Sequence, residues 1–310
     1  MARILVTSPM LDEGLGPVAG HELVAWDRQE PMATAIVGCD AILCLLTDQV
    51  TKDVVESGAP GLRIVANAAV GYDNIDVAAA ASHGVVVTNT PGLLDETTAD
   101  TAFALILAAC RRTTDAEAAL RAGRWTGWEL EGFLGVDVHG AELGLVGYGR
   151  IARAVARRAR GFGMRVRHHA RRPTGEEGYV ASLDELLATA DVVSLHVPLT
   201  PETHHLIDAK RLALMKPTAV LINTARGPVL DEIALAAALE SDQIFAAGLD
   251  VYDGEPTVQP RLLTAPHLTL LPHIGSATRA TRVAMVRLAA QNIAAVLTGE
   301  QPLTPVNVSS

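Results

Sequence analysis

The chain has 310 residues and a mass of 32.6 kDa, with 49% apolar and only 19% charged residues, which suits about two domains with sizeable cores and excludes a disordered or fibrous protein. Its formal charge of -10, from 25 Lys+Arg against 35 Asp+Glu, argues against a general binder of nucleic acid or of anionic membranes. No apolar run approaches the roughly 18–20 residues that span a bilayer, and Cys39, Cys44 and Cys110 lack any CxxC or His/Cys pairing, as expected of reduced thiols in a cytoplasmic protein.

The chain opens on a strand-like run, Arg3–Thr7, broken by Ser8-Pro9, with no small-residue cleavage site of a signal peptide. Further β-rich runs follow at Leu23–Trp26, Ala41–Leu46, Arg63–Asn67 and Val85–Asn89, separated by segments rich in turn residues (Gly14, Gly20, Pro31, Gly58, Pro60, Gly61, Gly84). This alternation predicts a five-stranded doubly wound unit. Thr90-Pro91-Gly92 breaks it, and a helix is expected from Thr97 to Arg111, where Ala102, Leu105, Ile106 and Ala109 recur at helical spacing. A Gly/Trp-rich stretch, Gly123 to Gly140, leads into a second series. Its strands are expected at Leu143–Val146, Arg165–His169, Val192–His196, Ala219–Asn223, Ala246–Val251 and Leu268–Leu271. The helices between them are expected at Arg150–Arg160, Leu183–Ala190 (with a Ser182/Glu185 capping box), Ala209–Leu214 and Glu232–Glu240. A last helix runs from beyond Gly275 to about Gly299 and packs back on the first domain. The expected fold class is therefore α/β, two doubly wound parallel-sheet domains: a discontinuous one of residues 1–96 plus 279–310 and a dinucleotide-binding one of residues 97–278.

The sharpest local signal is Leu143-Gly144-Leu145-Val146-Gly147-Tyr148-Gly149-Arg150-Ile151-Ala152, a strand running into Gly-x-Gly-x-x-Ala and then a helix. In that context Gly147 permits the tight turn, Gly149 lets the backbone approach a pyrophosphate, and small Ala152 lets helix and strand pack closely. The free N–H groups of the helix N-terminus complete the anion site. About 20 residues on, where an acidic side chain would hold an unphosphorylated ribose, the sequence reads His168-His169-Ala170-Arg171-Arg172-Pro173. No carboxylate is present to repel a 2′-phosphate and two arginines can pair with one, so NADP(H) is preferred over NAD(H). The alternative is two surface arginines answering Glu176 and Glu177. Nine arginines lie between Arg150 and Arg172, but Arg150, Arg153, Arg157 and Arg160 form one helical stripe opposite Ile151, Val155, Ala159 and Phe162, the pattern of a solvated basic face.

Arg226, Glu255 and His273 each follow the carboxyl end of an expected parallel strand, the edge where open α/β sheets bind ligands. Reduction of a 2-oxo acid needs a cation for the carboxylate, which Arg226 can hold bidentately, and a proton for the carbonyl oxygen, which His273 can donate. Glu255 would orient the ring and favour the imidazolium. No spacing of His, Cys, Asp or Glu suggests a metal site.

From Val65 to Thr278 the chain resembles the D-isomer-specific 2-hydroxyacid dehydrogenases, most of all those that reduce glyoxylate and hydroxypyruvate. The matching stretches are Ala69 to Asp76, Val87 to Gly92, Gly147 to Ala152, His196 to Thr200, Ile222 to Pro228 and Pro272 to Thr278. The resemblance implies that Arg226, Glu255 and His273 are the catalytic residues and that Val70 and Gly71 receive the substrate carboxylate on backbone N–H groups. It further implies phosphate contacts from Thr98, Gly149, Arg150 and Ile151, with Val197, Pro198, Thr203, Thr224 and Asp250 lining the adenosine and nicotinamide ends. Another D-2-hydroxy acid, such as phosphoglycerate, and a non-catalytic corepressor-like scaffold stay open as alternatives. Trp125, Trp128 and Phe133 are expected to form a homodimer interface with the Thr97–Arg111 helix, the alternatives being an active-site wall or core. The partner otherwise expected is a small 2-oxo or 2-hydroxy acid.

Overall fold

In the computed structural model, which describes residues 1–306, eleven strands among the described residues form two sheets in which every neighbouring pair is parallel. The chain divides into two compact units, Met1–Leu94 with the segment from Ser276 onward, and Asp95–Gly275.

In the first unit β1 (Arg3–Val6), β2 (Glu22–Ala25), β3 (Ala41–Cys44), β4 (Ile64–Asn67) and β5 (Val86–Thr88) lie in the order β2-β1-β3-β4-β5. β3 and β4 are buried along their whole length. They are continuous apolar runs rather than alternating ones because helices cover both faces. One face packs on Met32–Ala35, Lys52–Gly58 and Val77–Ser82; the other receives the last helix, Arg279–Thr298, through Ala289, Ala290, Ile293 and Val296. Arg63 ties that helix down by donating to the carbonyls of Val296 and Leu297.

In the second unit β6 (Glu142–Val146), β7 (Arg165–His169), β8 (Val192–Leu195), β9 (Val220–Asn223), β10 (Ala246–Leu249) and β11 (Leu268–Leu270) lie in the order β11-β10-β9-β8-β6-β7. The winding repeats that of the first sheet with one strand added: β6, like β1, has its successor on one side and the third strand on the other. The point where strand order reverses, where such sheets bind ligands, therefore lies between β6 and β8. Helices Asp95–Cys110 and Arg150–Gly161 cover one face; Leu183–Thr189, Ala209–Leu212 and Glu232–Glu240 cover the other. No helix among the described residues is long and apolar enough to cross a membrane.

Several details differ from the sequence reading. Five short helices, Met32–Ala35, Lys52–Gly58, Val77–Ser82, Thr113–Arg121 and Pro260–Thr264, occupy segments read as connections. All but Thr113–Arg121 have seven residues or fewer, too few to display a helical period, and four of the six residues of Val77–Ser82 are alanine. The expected capping box is half formed: Ser182 Oγ accepts from Glu185 N–H (3.2 Å), but the Glu185 carboxylate accepts from Arg167 (2.8 Å). The basic face of Arg150–Gly161 is answered by acids, Arg157 pairing with Glu96, Arg158 with Glu96 and Asp100, and Arg153 with Glu176.

Candidate active site

The coenzyme turn is built where β6 meets the helix Arg150–Gly161. Gly147 has φ +90°, and a Cβ there would come within 2.5 Å of the His196 carbonyl, so only glycine lets this turn pass the end of β8. A Cβ on Gly149 would meet nothing within 4 Å, and as N-cap it leaves the first turn of the helix without a side-chain acceptor. Ala152 is fully buried against the sheet, while Arg150 is exposed and Ile151 half-buried. Beyond β9, the hydroxyl of buried Thr224 has no hydrogen-bond partner among the described residues. An open glycine face, an uncapped helix N-terminus and an orphaned buried hydroxyl at the carboxyl edge of one sheet fit a dinucleotide.

Other residues expected around the coenzyme are more committed to the fold. Thr203 Oγ1 donates to the Pro198 carbonyl (2.6 Å) and accepts from Thr200 N–H (2.8 Å), so it shapes the Val197–Thr203 loop. Half-buried Val197 packs beside Gly147, and Pro198 is exposed. Thr98, buried in the helix Asp95–Cys110, donates to the Gly275 carbonyl (3.4 Å). Arg171 and Arg172 stand on an exposed loop after β7. Glu176, the acid they were set against as surface residues, pairs instead with Arg153 at 2.7 Å.

Arg226, Glu255 and His273 sit in three consecutive loops at the carboxyl edges of β9, β10 and β11. Buried Asn223 closes the first, accepting from Ala225 N–H (3.0 Å) and donating to the Arg226 carbonyl (2.9 Å). Gly227 then presses on the next loop so closely that a Cβ would lie 1.8 Å from the Tyr252 carbonyl carbon. This contact sets the Arg226 loop beside the loop of Glu255. Glu255 accepts from Tyr252 N–H through Oε1 (2.9 Å), while its Oε2 lies 2.7 Å from His273 Nδ1. Burial works to raise the Glu255 pKa, but the His273 and Tyr252 hydrogen bonds and the charges of His273 and Arg226 outweigh it and hold the carboxyl below the ordinary range. The third loop carries His273 at φ +53°, the left-handed region. Asp250 holds that turn: Oδ1 accepts from Ile274 N–H (2.7 Å) and Oδ2 from Gly275 N–H (2.8 Å). Burial pushes the Asp250 carboxyl up despite both bonds. Asp250 thus organises the histidine turn, and each of its oxygens keeps a further lone pair.

In the first unit, the loop after β4 has its carbonyls consumed from within. The Ala69 carbonyl accepts from Thr90 N–H (2.8 Å), Val70 from Asn89 Nδ2 (2.8 Å) and Gly71 from Asn67 Nδ2 (2.8 Å). Asn74 extends the network by donating to the carbonyls of Leu45 (3.1 Å) and Asp48 (2.8 Å). The carbonyls are fixed by donors from the fold, so the peptide N–H groups are the loop's remaining means of recognition.

Asn67, Asn89, Asn223, Tyr252 and Gly227 went unread as site residues. A signal was present for two of them: β4 and β9 read Ile-Val-Ala-Asn and Val-Leu-Ile-Asn, each an apolar run ending in a fully buried amide at the ligand-binding edge. The Gly/Trp-rich stretch is largely irregular, with Trp125, Trp128 (81% exposed), Leu130 and Leu134 facing outward, which overturns a plain core role.

Comparison with known proteins identifies the family. Residues 103–275 match the family model described as D-isomer specific 2-hydroxyacid dehydrogenase, NAD binding domain. A glyoxylate reductase of Thermococcus litoralis is 48% identical over 98% of this chain and 96% of its own, and one of Korarchaeum cryptofilum is 47% identical over the same shares. Among solved structures, a protein of Thermus thermophilus superposes with a TM-score of 0.93 at 43% identity, covering 98% of this chain and 100% of that one. An NADPH-dependent glyoxylate/hydroxypyruvate reductase of Sinorhizobium meliloti, in complex with NADP and malonate, gives 0.89 at 37% identity over 98% and 96% of the two chains. With the two parallel sheets, the glycine turn and the Glu–His pair in place, the chain belongs to the D-isomer specific 2-hydroxyacid dehydrogenase family.

Proposed function

We propose that this protein is a cytoplasmic reductase that uses NADPH in preference to NADH to convert glyoxylate to glycolate and hydroxypyruvate to D-glycerate. The observation that carries the reading is the 2.7 Å Glu255–His273 pair, one loop from Arg226 and on the same sheet edge as the glycine turn. The second unit holds the coenzyme through Gly147, Gly149, Arg150, Ile151, Thr98, Val197, Pro198, Thr203, Thr224 and Asp250, with Arg171 and Arg172 on the 2′-phosphate. When bound, the reduced nicotinamide supplies the hydride for the 2-oxo carbon. Arg226 holds the substrate carboxylate as a planar fork. With Nδ1 engaged by Glu255, His273 keeps its proton-donating Nε2 for the substrate oxygen. The Glu255 carboxylate fixes the orientation of the ring.

The Sinorhizobium relative carries NADP, which supports the phosphorylated coenzyme, and the glyoxylate reductases support the substrate class. The outward-facing apolar segment from Trp125 to Leu134 supports a homodimer, which light scattering of the purified protein tests; a monomer at micromolar concentration contradicts it. For activity, a panel of 2-oxo acids is assayed with both coenzymes. Glyoxylate and hydroxypyruvate should give the highest kcat/KM, and His273→Asn should lower kcat by roughly 10²–10⁴. A panel on which only a larger or phosphorylated acid turns over, or an active His273→Asn variant, defeats the assignment.

A further inference from the structure

We propose that His168 and Thr174 form a latch that holds the Arg171–Arg172 loop beside the glycine turn, and so set the preference for a coenzyme bearing a 2′-phosphate. The inference rests on the reading above that these arginines take that phosphate, and it adds the residues that position them.

The loop leaves β7 at His169 and is closed at its base by backbone bonds. His168 N–H donates to the Gly178 carbonyl (2.8 Å), and Val180 N–H donates to the His168 carbonyl (2.8 Å). His169 Nδ1 lies 3.1 Å from the Val180 carbonyl. Gly178, at φ +85°, passes so close to β7 that a Cβ would lie 2.4 Å from the Val166 carbonyl. Inside this closed loop, Thr174 Oγ1 lies 2.7 Å from His168 Nε2 and accepts from Glu176 N–H (3.2 Å). The His168 side chain is fully buried and its Nδ1 has no partner, so Thr174 supplies the one hydrogen bond that its ring makes among the described residues.

The same ring reaches the glycine turn. His168 stacks on Tyr148, the middle residue of Gly147-Tyr148-Gly149, at 3.6 Å between centroids and 13° between planes. The Arg153 guanidinium lies over Tyr148 at 5.1 Å and pairs with Glu176 of the loop at 2.7 Å. The loop is thus tied twice to the segment that would carry the pyrophosphate, through Thr174–His168–Tyr148 and through Glu176–Arg153–Tyr148. Arg171 and Arg172 lie two to three residues before Thr174, inside the loop that these bonds close. A cation pair held this way loses less conformational freedom on binding a phosphate than one on a free loop. NADH has no 2′-phosphate for the pair to hold, so it gains nothing from the latch.

The test is steady-state kinetics with NADPH and NADH on the parent protein, Thr174→Val, Thr174→Ser and the double variant Arg171→Ala/Arg172→Ala, with thermal melting alongside. Thr174→Val keeps the shape and removes the hydroxyl. It should raise KM for NADPH roughly three- to ten-fold, the range of one lost hydrogen bond, with KM for NADH and kcat unchanged. Thr174→Ser should restore the parent value. Equal rises in KM for both coenzymes would assign Thr174 to general support of the fold and overturn the latch. If the double arginine variant loses NADPH affinity while Thr174→Val does not, the latch fails and the phosphate contact stands. If the double variant leaves KM for NADPH unchanged, the phosphate contact fails and the latch falls with it.

Discussion

Replacing Glu255 by Gln isolates the charge in the pair that defines the site. The amide is isosteric, and its oxygen can still accept from Tyr252 N–H, so the loop keeps its shape. What is lost is a charge-assisted bond of 2.7 Å between side chains that are 24% and 26% exposed. Hydrogen bonds to charged groups contribute about 1.5–3 kcal/mol, and partial exposure places this one at about 1.5–2 kcal/mol. If that stabilisation is realised as the ring holds its proton for the substrate, kcat/KM should fall about 10- to 30-fold. The assay is glyoxylate-dependent NADPH oxidation between about pH 6 and 8. A variant within about twofold of the parent across that range would refute the claim that the carboxylate sustains catalysis through His273. The same residue predicts acid behaviour. Its folded pKa lies below the ordinary 4.5, so its share of stability is complete above 4.5 and is lost as pH falls through the folded value. Denaturant titrations at descending pH should show the parent losing stability in that window more steeply than Glu255→Gln; parallel curves would contradict it.

Two further outcomes test the geometry. Arg226→Lys should lose both substrate affinity and kcat, because a point charge cannot reproduce the bidentate fork; kinetics equal to the parent's would remove Arg226 from carboxylate recognition. Gly227→Ala places a Cβ 1.8 Å from the Tyr252 carbonyl carbon, so the Arg226 and Glu255 loops must part. It should cost at least the roughly 1–3 kcal/mol of an overpacked core and abolish turnover, and an active variant with unchanged melting temperature would show that the contact is dispensable.

The strand pattern was readable because β3, β4, β8, β9 and β10 are short, mostly apolar runs buried along their whole length, and burial leaves that mark in composition alone. The glycine turn was readable for a local reason: Gly147 takes φ +90°, a conformation the strand-to-helix turn demands within a few residues of chain. Arg226, Glu255 and His273 could be named as candidates because each follows a strand of one parallel sheet, which puts them on a common edge.

What sequence spacing does not carry is any contact between segments distant along the chain. That Asp250 spends both oxygens on the Ile274 and Gly275 amides and that Glu176 answers Arg153 are outcomes of packing between segments. The short helices escaped detection because a single turn or two shows no period. The latch of His168 and Thr174 was equally invisible, since a buried histidine on β7 differs from its neighbour His169 only in which face of the sheet receives it. Composition and period thus determined the sheets, their helices and the edge where chemistry could occur. Only the folded chain decided which polar atoms on that edge touch, because hydrogen bonding depends on tenths of an ångström between residues that the polymer itself holds far apart.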